Sequence, residues 1–332
     1  MEPATGRQGA SVATAAGTVK AEPFRGSPCK ASIATAQQRS DRLVHTAQIR
    51  LGCIAIAAAA MVFVAWPATA QQASSTSSSS AGDNNGQDFT RPENLFQIRN
   101  LYQTAPGNGS LPGTLRTVTT DMTILRADGV IALTPQLTIA LRGDLPFVIR
   151  NPVNADNPTG QYVSGLGDAD LQAALIRQFD SRWAAGAGLR FVAPTGAEDI
   201  TSGKWRALPV AGARYSLPEL STGSYAEALL RYDVSFAGDP SRRNVSNLQL
   251  APMLNLNLPD RWFFTLYPST DIRINYGDQI PGQTGRLFLP VDFMVGRNVL
   301  NDVTLSLEVS VPVIKDYPVY NFRTVSRINM KF

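Results

Sequence analysis

The sequence from residue 71 onward contains no cysteine and no histidine, since Cys29, Cys53 and His45 all precede it. Their absence excludes disulfides, metal sites built from Cys or His, Ser-His-Asp triads and Cys-His pairs from this region. Chemistry that needs only carboxylates stays open. We therefore predict no catalytic residue, no metal and no cofactor, and the sequence does not indicate an enzyme.

Net charge is also absent from this region. Of the 30 basic and 26 acidic residues of the chain, seven and three lie in residues 1–70, which leaves 23 of each. The basic character of the chain therefore comes from its first seventy residues and gives no reason to expect a nucleic acid partner. Of the remaining basic residues, 20 are arginine and three are lysine, which favours fixed bidentate pairing with carboxylates.

The long apolar run of the chain covers residues 51–66, LGCIAIAAAAMVFVAW, with Arg50 before it and Ala68-Thr69-Ala70 after it. This order of charge, apolar core and small residues is typical of a secretory signal. We predict an N-terminal extension plus signal peptide over residues 1–70, with cleavage after Ala70. A transmembrane helix is the alternative, but the run is shorter than the roughly 20 residues that a bilayer needs. Residues 71–92 are rich in serine and predict a disordered leader.

Helical periodicity is missing from residues 93–332, which consist of alternating segments separated by turn residues. In the clearest case, residues 303–313, valine or leucine occupies every odd position and mostly polar residues occupy the even ones. This periodicity predicts twelve strands, at residues 94–104, 113–126, 135–149, 166–179, 182–194, 204–216, 224–236, 245–258, 261–275, 285–297, 302–314 and 320–332.

The connections between the predicted strands are alternately long and short. NPVNADNPTGQYVS follows the third strand, whereas Asp180-Ser181 and Pro259-Asp260 make tight turns. Long loops on one rim and short turns on the other are typical of outer-membrane β-barrels. We predict an all-β protein, a closed antiparallel transmembrane β-barrel of about 12 strands over residues 93–332, in the bacterial outer membrane, with long extracellular loops and short periplasmic turns.

A secreted β-sandwich also alternates, so the choice depends on what the apolar face carries. An Arg or Lys that faces lipid at mid-bilayer is unfavourable by about 2 to 4 kcal/mol. On the fifth to eleventh predicted strands, central charges such as Arg190, Asp233 and Glu308 all fall on the polar face. This distribution favours a barrel with lipid outside and water inside, and the barrel must close because unpaired backbone groups are unfavourable in lipid.

Aromatic residues on the apolar face fall into two groups, as expected where rings collect at the two bilayer interfaces. We predict an aromatic girdle in contact with outer-membrane lipid. Its members at the short-turn ends are Phe179, Trp183, Tyr215, Trp262 and Phe332, and those at the long-loop ends are Phe147, Phe191, Trp205, Phe236 and Tyr276.

The last predicted strand ends on Phe332, with Met330 and Ile328 at two-residue steps before it. This ending resembles the C-terminal signature that the barrel assembly machinery recognises in outer-membrane proteins, and the resemblance implies that machinery as a partner. Prolines interrupt the strand pattern at Pro209, Pro252, Pro268 and Pro290, where each removes a backbone donor. We expect β-bulges or redirected segments there.

Five short motifs are Gly165 to Asp168, Pro194-Thr195-Gly196, Gly203-Lys204-Trp205, Ser235 to Asp239 and Leu258-Pro259-Asp260-Arg261-Trp262. In these motifs the sequence resembles the outer-membrane transporter family associated with the meta-pathway of phenol degradation, with coverage from about residue 94 to the end. The resemblance implies a porin-like barrel that passes small, often aromatic or hydrophobic compounds. It implies no catalytic motif and no particular substrate-contacting residue.

Barrels of about 8 strands are filled by side chains, whereas those of about 16 to 18 leave an aqueous channel. The predicted barrel lies between these sizes. We predict that its lumen is lined by Arg142, Asp144, Arg190, Arg206, Arg214, Glu227, Arg231, Asp233, Asp271, Arg273, Asp292, Glu308, Arg323 and Arg327.

Two interpretations of this charged set stay open. In the first, the residues form ion pairs that brace adjacent strands, with Glu308 and Arg327 as partners on the last hairpin. In the second, unpaired arginines line a narrow path with a mild anion preference, or orient an amphipathic solute. The predicted function is a channel or transporter for small solutes by passive diffusion, with aromatic or hydrophobic compounds as the candidate solutes. The alternative is a non-conducting structural or adhesin-like barrel.

Overall fold

The computed structural model describes residues 88–106, 117–153 and 157–332. The predicted signal peptide, its cleavage point and the leader up to residue 87 lie outside the described residues. Over the described ranges, regular structure consists of fourteen β-strands and one 3-10 turn at Pro259–Arg261. Helices with the length and apolarity needed to cross a membrane are not found in these ranges.

The strands follow the order of the twelve predicted segments, with three differences. The segment predicted at 261–275 is divided into β10 and β11, the short strand β4 lies almost wholly in the loop predicted after the third strand, and the second strand continues past its predicted end to Thr134. Their bounds are β1 (Leu95–Pro106), β2 (Thr117–Thr134), β3 (Leu137–Arg150), β4 (Val163–Leu166), β5 (Asp170–Gln178), β6 (Trp183–Val192), β7 (Lys204–Ser216), β8 (Tyr225–Gly238), β9 (Ser246–Asn257), β10 (Trp262–Leu266), β11 (Ile272–Asn275), β12 (Leu287–Asn298), β13 (Val303–Lys315) and β14 (Phe322–Lys331).

The strands form one closed antiparallel sheet. Strand β1 pairs with β14 from Leu95 opposite Lys331 to Thr104 opposite Phe322, so the first and last strands complete the ring. Strands β4 and β5 follow one another along β3, and β10 and β11 follow one another between β9 and β12. The wall therefore has twelve positions, and the predicted closed barrel of about 12 strands is confirmed.

The interruption between β10 and β11 lies at residues 267–271, which contain Pro268. Tyr267 begins it with a left-handed backbone, at a φ of 49°, and donates its N–H to the carbonyl oxygen of Asp292 at 2.8 Å. A second proline, Pro290, lies at a register shift between β12 and β13. The expected irregularities are confirmed at these two prolines, because each occurs where the ladder is broken or displaced.

The two faces of the wall have opposite character. On β13, Leu305 and Leu307 are 42% and 53% exposed, whereas Thr304 and Glu308 are 2% and 0% exposed. The other strands show the same inversion, with leucine, valine and aromatic side chains outside and arginine, aspartate and asparagine buried inside. A soluble sandwich would bury its apolar face, so this arrangement contradicts the sandwich and agrees with a barrel surrounded by hydrocarbon.

The aromatic residues predicted for the girdle lie on the exposed outer surface near the strand ends. Trp183 and Tyr215 are opposite one another on β6 and β7, with ring centroids 4.8 Å apart. Phe179 and Trp183 flank a short turn, in which the backbone N–H of Phe179 donates to the Trp183 carbonyl at 2.9 Å. The carboxylate of Asp180 accepts from the backbone N–H groups of Trp183 and Arg182, which lowers the pKa of Asp180.

Candidate functional site in the barrel interior

The interior face of the barrel carries most of the charged side chains of the strands. All fourteen residues predicted to line the lumen are buried or half-buried, and none is on the exposed outer face. The alternation of each strand explains this placement, because residues two apart share a face. The structure brings most of the fourteen into ion pairs, in three groups along the wall.

The first group joins β2, β3, β5 and β6. Arg126 lies opposite Asp144 and donates two hydrogen bonds of 2.6 Å to its carboxylate. Arg142 lies opposite Asp128 and makes the same bidentate contact, with two hydrogen bonds of 2.8 Å. Arg190 adds longer contacts, 3.5 Å to Asp170 and 3.9 Å to Asp144. The two bidentate pairs connect the adjacent strands β2 and β3, and Arg190 extends the contacts to β5 and β3, as the bracing interpretation requires.

The second group joins the segment before β11 with β12, β13 and β14. The guanidinium of Arg323 contacts three carboxylates, those of Asp271, Glu308 at 2.6 Å and Asp292 at 3.6 Å. Arg327 pairs with Glu308, which confirms the partnership predicted for the last hairpin. Tyr320 also belongs to this cluster, because its hydroxyl donates a hydrogen bond to the Asp271 carboxylate at 2.9 Å.

Ligand atoms of Asp271, Asp292 and Glu308 lie within 4.8 Å of one another, a spacing that a metal ion could use. The Arg323 guanidinium, however, contacts all three groups and acts as their common counter-ion. Arg273 and Arg327 supply two further positive charges, at 3.0 Å from Asp271 and against Glu308. Three carboxylates therefore face three guanidinium groups, and the cluster fits a charge-balanced brace better than a cation site.

The third group lies on β7 and β8. Arg206 pairs with Asp233 at 2.8 Å. Closer to the short turns, Arg214 pairs with Asp88, which precedes β1, at 3.3 Å. The Asp88 and Arg214 side chains are only 1% and 2% exposed. Glu227, on the neighbouring strand, accepts a hydrogen bond of 3.3 Å from the backbone N–H of Phe89.

Asp88 belongs to a short segment, residues 88–93, that lies inside the barrel near the short turns. The Phe89 ring occupies space left by two interior glycines that are opposite each other on β6 and β7. A Cβ added at Gly186 or Gly212 would lie 3.1 or 3.0 Å from this ring. Gln178 donates to the Thr90 carbonyl at 2.8 Å, and Thr90 is fully buried. The disordered leader was predicted to extend to residue 92, so the structured part of the chain begins earlier than expected.

A small cavity lies beside this segment. It has a volume of about 30 Å³, room for about two water molecules, and is lined among others by Phe89, Pro92, Arg142 and Gln172. Both the segment and the ion pairs of the first group project into the interior at this level.

Some interior arginines have no carboxylate partner among the described residues. Arg231 donates only to the hydroxyl of Thr270, and Arg99 donates to Gln97 at 3.0 Å. Arg231 belongs to the predicted set, but Arg99 does not. The sequence prediction also missed Arg126 and Asp128. Arg126 was placed at the very end of the second predicted strand and Asp128 beyond it, whereas the strand continues to Thr134. Its GVIA stretch, residues 129–132, hides the alternation that would have included them.

The family described as "Putative MetA-pathway of phenol degradation" matches residues 78–288. The chain belongs to this family. The resemblance found in the sequence motifs is thereby confirmed. No curated protein is significantly similar in sequence to this member of the phenol-degradation family.

Solved structures show how far the fold of this family member is shared. The COG4313 outer membrane channel from Pseudomonas putida F1 is 19% identical, with a TM-score of 0.57 over 74% of this chain and 97% of that one. The KdgM porin has a TM-score of 0.41 and 10% identity over 71% and 99% of the two chains. The Ralstonia pickettii toluene transporter TbuX has a TM-score of 0.40 and 9% identity over 73% and 90%. At 19% identity the first likeness concerns the fold alone.

Three of the five motifs, those containing Asp168, Thr195 and Gly203, meet at one place on the long-loop rim, whereas the Leu258 to Trp262 motif forms a tight turn at the opposite rim. The Asp168 carboxylate accepts hydrogen bonds from the hydroxyls of Thr201 at 2.5 Å and Ser202 at 2.7 Å, and from the Ser202 backbone at 2.9 Å. The Thr195 hydroxyl accepts from the Ala169 backbone at 2.9 Å. At Gly203 the φ of +66° favours glycine. These contacts fasten the β6–β7 loop to the start of β5, so the motif residues have a structural role here.

Proposed function

We propose that this protein is an outer-membrane channel that lets small solutes diffuse through a narrow, charged interior. The observation that carries the proposal is the inversion of the two faces of a closed barrel. Leu307 and Val313 are 53% and 66% exposed, while Asp292 and Glu308 are 0% exposed. Such an apolar exterior is favourable in hydrocarbon, and a polar interior then offers a route for solutes that the bilayer excludes.

The solutes that we propose are small aromatic or hydrophobic compounds with a polar end. Membership of the phenol-degradation family supports the aromatic class. Ion pairing in the interior supports a solute of low net charge, because paired arginines and carboxylates cancel much of their field. Arg99 and Arg231 remain available to orient a hydroxyl or an anionic group of the solute, since no described carboxylate pairs with them.

We further propose that the protein reaches the outer membrane by export and assisted assembly. The apolar run at residues 51–66 followed by Ala68-Thr69-Ala70 supports a cleaved signal peptide. Strand β14 supports assembly by the barrel assembly machinery, because its outer residues Ile328 and Met330 lead to a terminal aromatic residue, Phe332.

A non-conducting structural barrel is a second candidate, and one observation favours it. Most interior charges are already paired, and residues 88–93 occupy the interior near the short turns. A barrel filled in this way could serve as a scaffold or adhesin without passing any solute.

Conductance separates the two candidates. The mature protein, refolded and checked by its heat-modifiable mobility in gels, would be reconstituted in planar lipid bilayers and in liposomes for swelling assays. The channel proposal expects discrete conductance steps and swelling with small solutes. Folded protein that gives neither would contradict the channel and support the scaffold.

Charge selectivity tests whether interior arginines face the permeating solute. Replacing Arg231 and Arg273 with glutamine should move the reversal potential in a salt gradient toward cations, because each substitution removes a positive charge from the interior. The double variant should shift further than either single variant. Arg242, an exposed loop residue at 3.8 Å from Asp239, supplies the control R242Q, which should leave the potential unchanged. An unchanged potential in the double variant would restrict Arg231 and Arg273 to bracing.

A further inference from the structure

Two arginines lie on the apolar outer face, each beside a short turn. On β5 the exposed residues Leu171, Ala173 and Leu175 are followed at the same spacing by Arg177. On β12, Val291, Phe293 and Val295 are followed in the same way by Arg297. Both arginines therefore continue the hydrocarbon-facing row and end it at the short-turn rim.

Each of these arginines lies over an exposed aromatic ring. The guanidinium carbon of Arg177 is 5.4 Å from the ring centroid of Phe179, and that of Arg297 is 5.4 Å from the ring centroid of Trp262. A guanidinium stacked on a ring keeps the N–H groups along its edge available for hydrogen bonds in its own plane. The two sites thus have the same construction on well-separated parts of the wall.

Neither arginine forms an ion pair with a carboxylate in the described part of the chain. Arg297 donates its Nε–H to the backbone carbonyl of Asp260 at 3.2 Å, which leaves its terminal nitrogens available. Near Arg177, the Asp180 carboxylate is engaged by two backbone N–H groups of its own turn. Both guanidinium groups are therefore fixed positive charges whose counter-ion must come from the surroundings.

Arg182, at the same rim, is an arginine whose counter-ion is supplied by the protein. It also lies over a ring, 5.8 Å from the centroid of Tyr215, but it pairs with Glu219 at 2.5 Å. Arg177 and Arg297 differ from it in lacking such a carboxylate and in belonging to the hydrocarbon-facing row of their strands. This difference separates an arginine satisfied by the protein from two that require an external anion.

The external anion available at the edge of hydrocarbon is the headgroup phosphate of a phospholipid. A phosphodiester presents two oxygens that match the parallel N–H groups of a guanidinium, and the exposed ring beneath can contact the glycerol and upper acyl chain. We propose that Arg177 with Phe179, and Arg297 with Trp262, are two binding sites for the phosphodiester headgroups of glycerophospholipids in the periplasmic leaflet. The proposal rests on the membrane location argued under the proposed function.

Native mass spectrometry of the folded, detergent-solubilised barrel with phosphatidylglycerol tests this directly. Wild-type protein should retain two lipid molecules after detergent is removed in the gas phase. R177Q and R297Q should each retain one, and the double variant should bind phosphatidylglycerol about tenfold more weakly or worse, because each loses charge-assisted hydrogen bonds. R182Q is the matched control and should still retain two.

Equal retention by the double variant and the wild type would overturn the proposal, as would an equal loss in R182Q. Displacement of the lipid by millimolar inorganic phosphate would also overturn it, because the sites would then be simple anion sites. The lysine variants R177K and R297K keep the charge but lose the planar fork, so weaker retention than wild type is expected, and full retention would contradict the proposed bidentate contact. Lipid retention is measured independently of conductance. A barrel that binds lipid but conducts no solute would therefore contradict the channel proposal and leave the lipid-site proposal intact.

Discussion

Replacing Glu308 with alanine should destabilise the folded barrel by about 3 to 5 kcal/mol, because two buried guanidinium groups would lose their shared counter-ion. Glu308 is 0% exposed and accepts from Arg323 at 2.6 Å, from Arg327, and from the Ser269 hydroxyl at 3.1 Å. The free energy of unfolding, measured by urea titration of barrels folded in lipid vesicles, should show the loss.

Two further variants make the Glu308 prediction specific. Glu308→Gln keeps the size and an acceptor oxygen but removes the charge, so its loss should be smaller than that of alanine. Glu219→Ala removes the carboxylate from the exposed pair with Arg182 and should leave stability almost unchanged, because water already solvates that pair. An effect at Glu308 no larger than the effect at Glu219 would show that the buried cluster does not stabilise the barrel.

The strand pattern could be predicted from the sequence because a lipid-facing wall imposes it residue by residue. On β13 each exposed leucine or valine alternates with a buried polar residue, so the faces can be assigned without knowing any partner strand. The breaks could not be predicted in the same way. Trp262, Phe264, Leu266, Ile272 and Ile274 keep the same parity across residues 267–271, and only Pro268 marks the interruption.

The ion-pair partners of the interior charged residues were much harder to predict from the sequence than the face on which each residue lies. The Arg323 cluster assembles Asp271, Asp292 and Glu308 from three other parts of the chain, and contact between them depends on strand register as well as on side-chain reach. Alternation shows that each of these residues points inward, but it says nothing of which neighbour it meets. The Glu308–Arg327 pair was predicted from its place on the last hairpin, but the Arg323–Glu308 contact on the same hairpin was not.

The segment before β1 was missed for a different reason. Its composition is polar, and composition alone predicts disorder when few apolar residues are available for burial. The order of residues 88–93 comes instead from distant parts of the chain, namely the ion pair of Asp88 with Arg214 and the gap left by Gly186 and Gly212. A gap of this kind appears in the sequence only as small residues in a strand, which have many other causes.

Releasing this segment should open the barrel. Substituting alanine for Phe89 removes the half-buried ring from the gap between Gly186 and Gly212. Burial of a phenylalanine contributes about 1.5 to 3 kcal/mol when complete, so losing the lower figure would raise the released population about tenfold. We expect two conductance levels in single-channel recordings in planar bilayers, a smaller one with the segment in place and a larger one with the segment released. The F89A variant should spend a correspondingly greater fraction of time in the larger level than the wild type.

The size of this effect also depends on the other contact that holds the segment, the ion pair of Asp88 with Arg214. Combining F89A with D88N weakens the contact to Arg214 while keeping a polar group against it, so the double variant should spend longer in the larger level than F89A alone. Phe236, 60% exposed on the outer face, provides the control F236A, which removes a ring of the same size without touching the interior. If the double variant and F236A conduct like the wild type, residues 88–93 do not limit passage, and the restriction must come from the ion pairs of the wall itself.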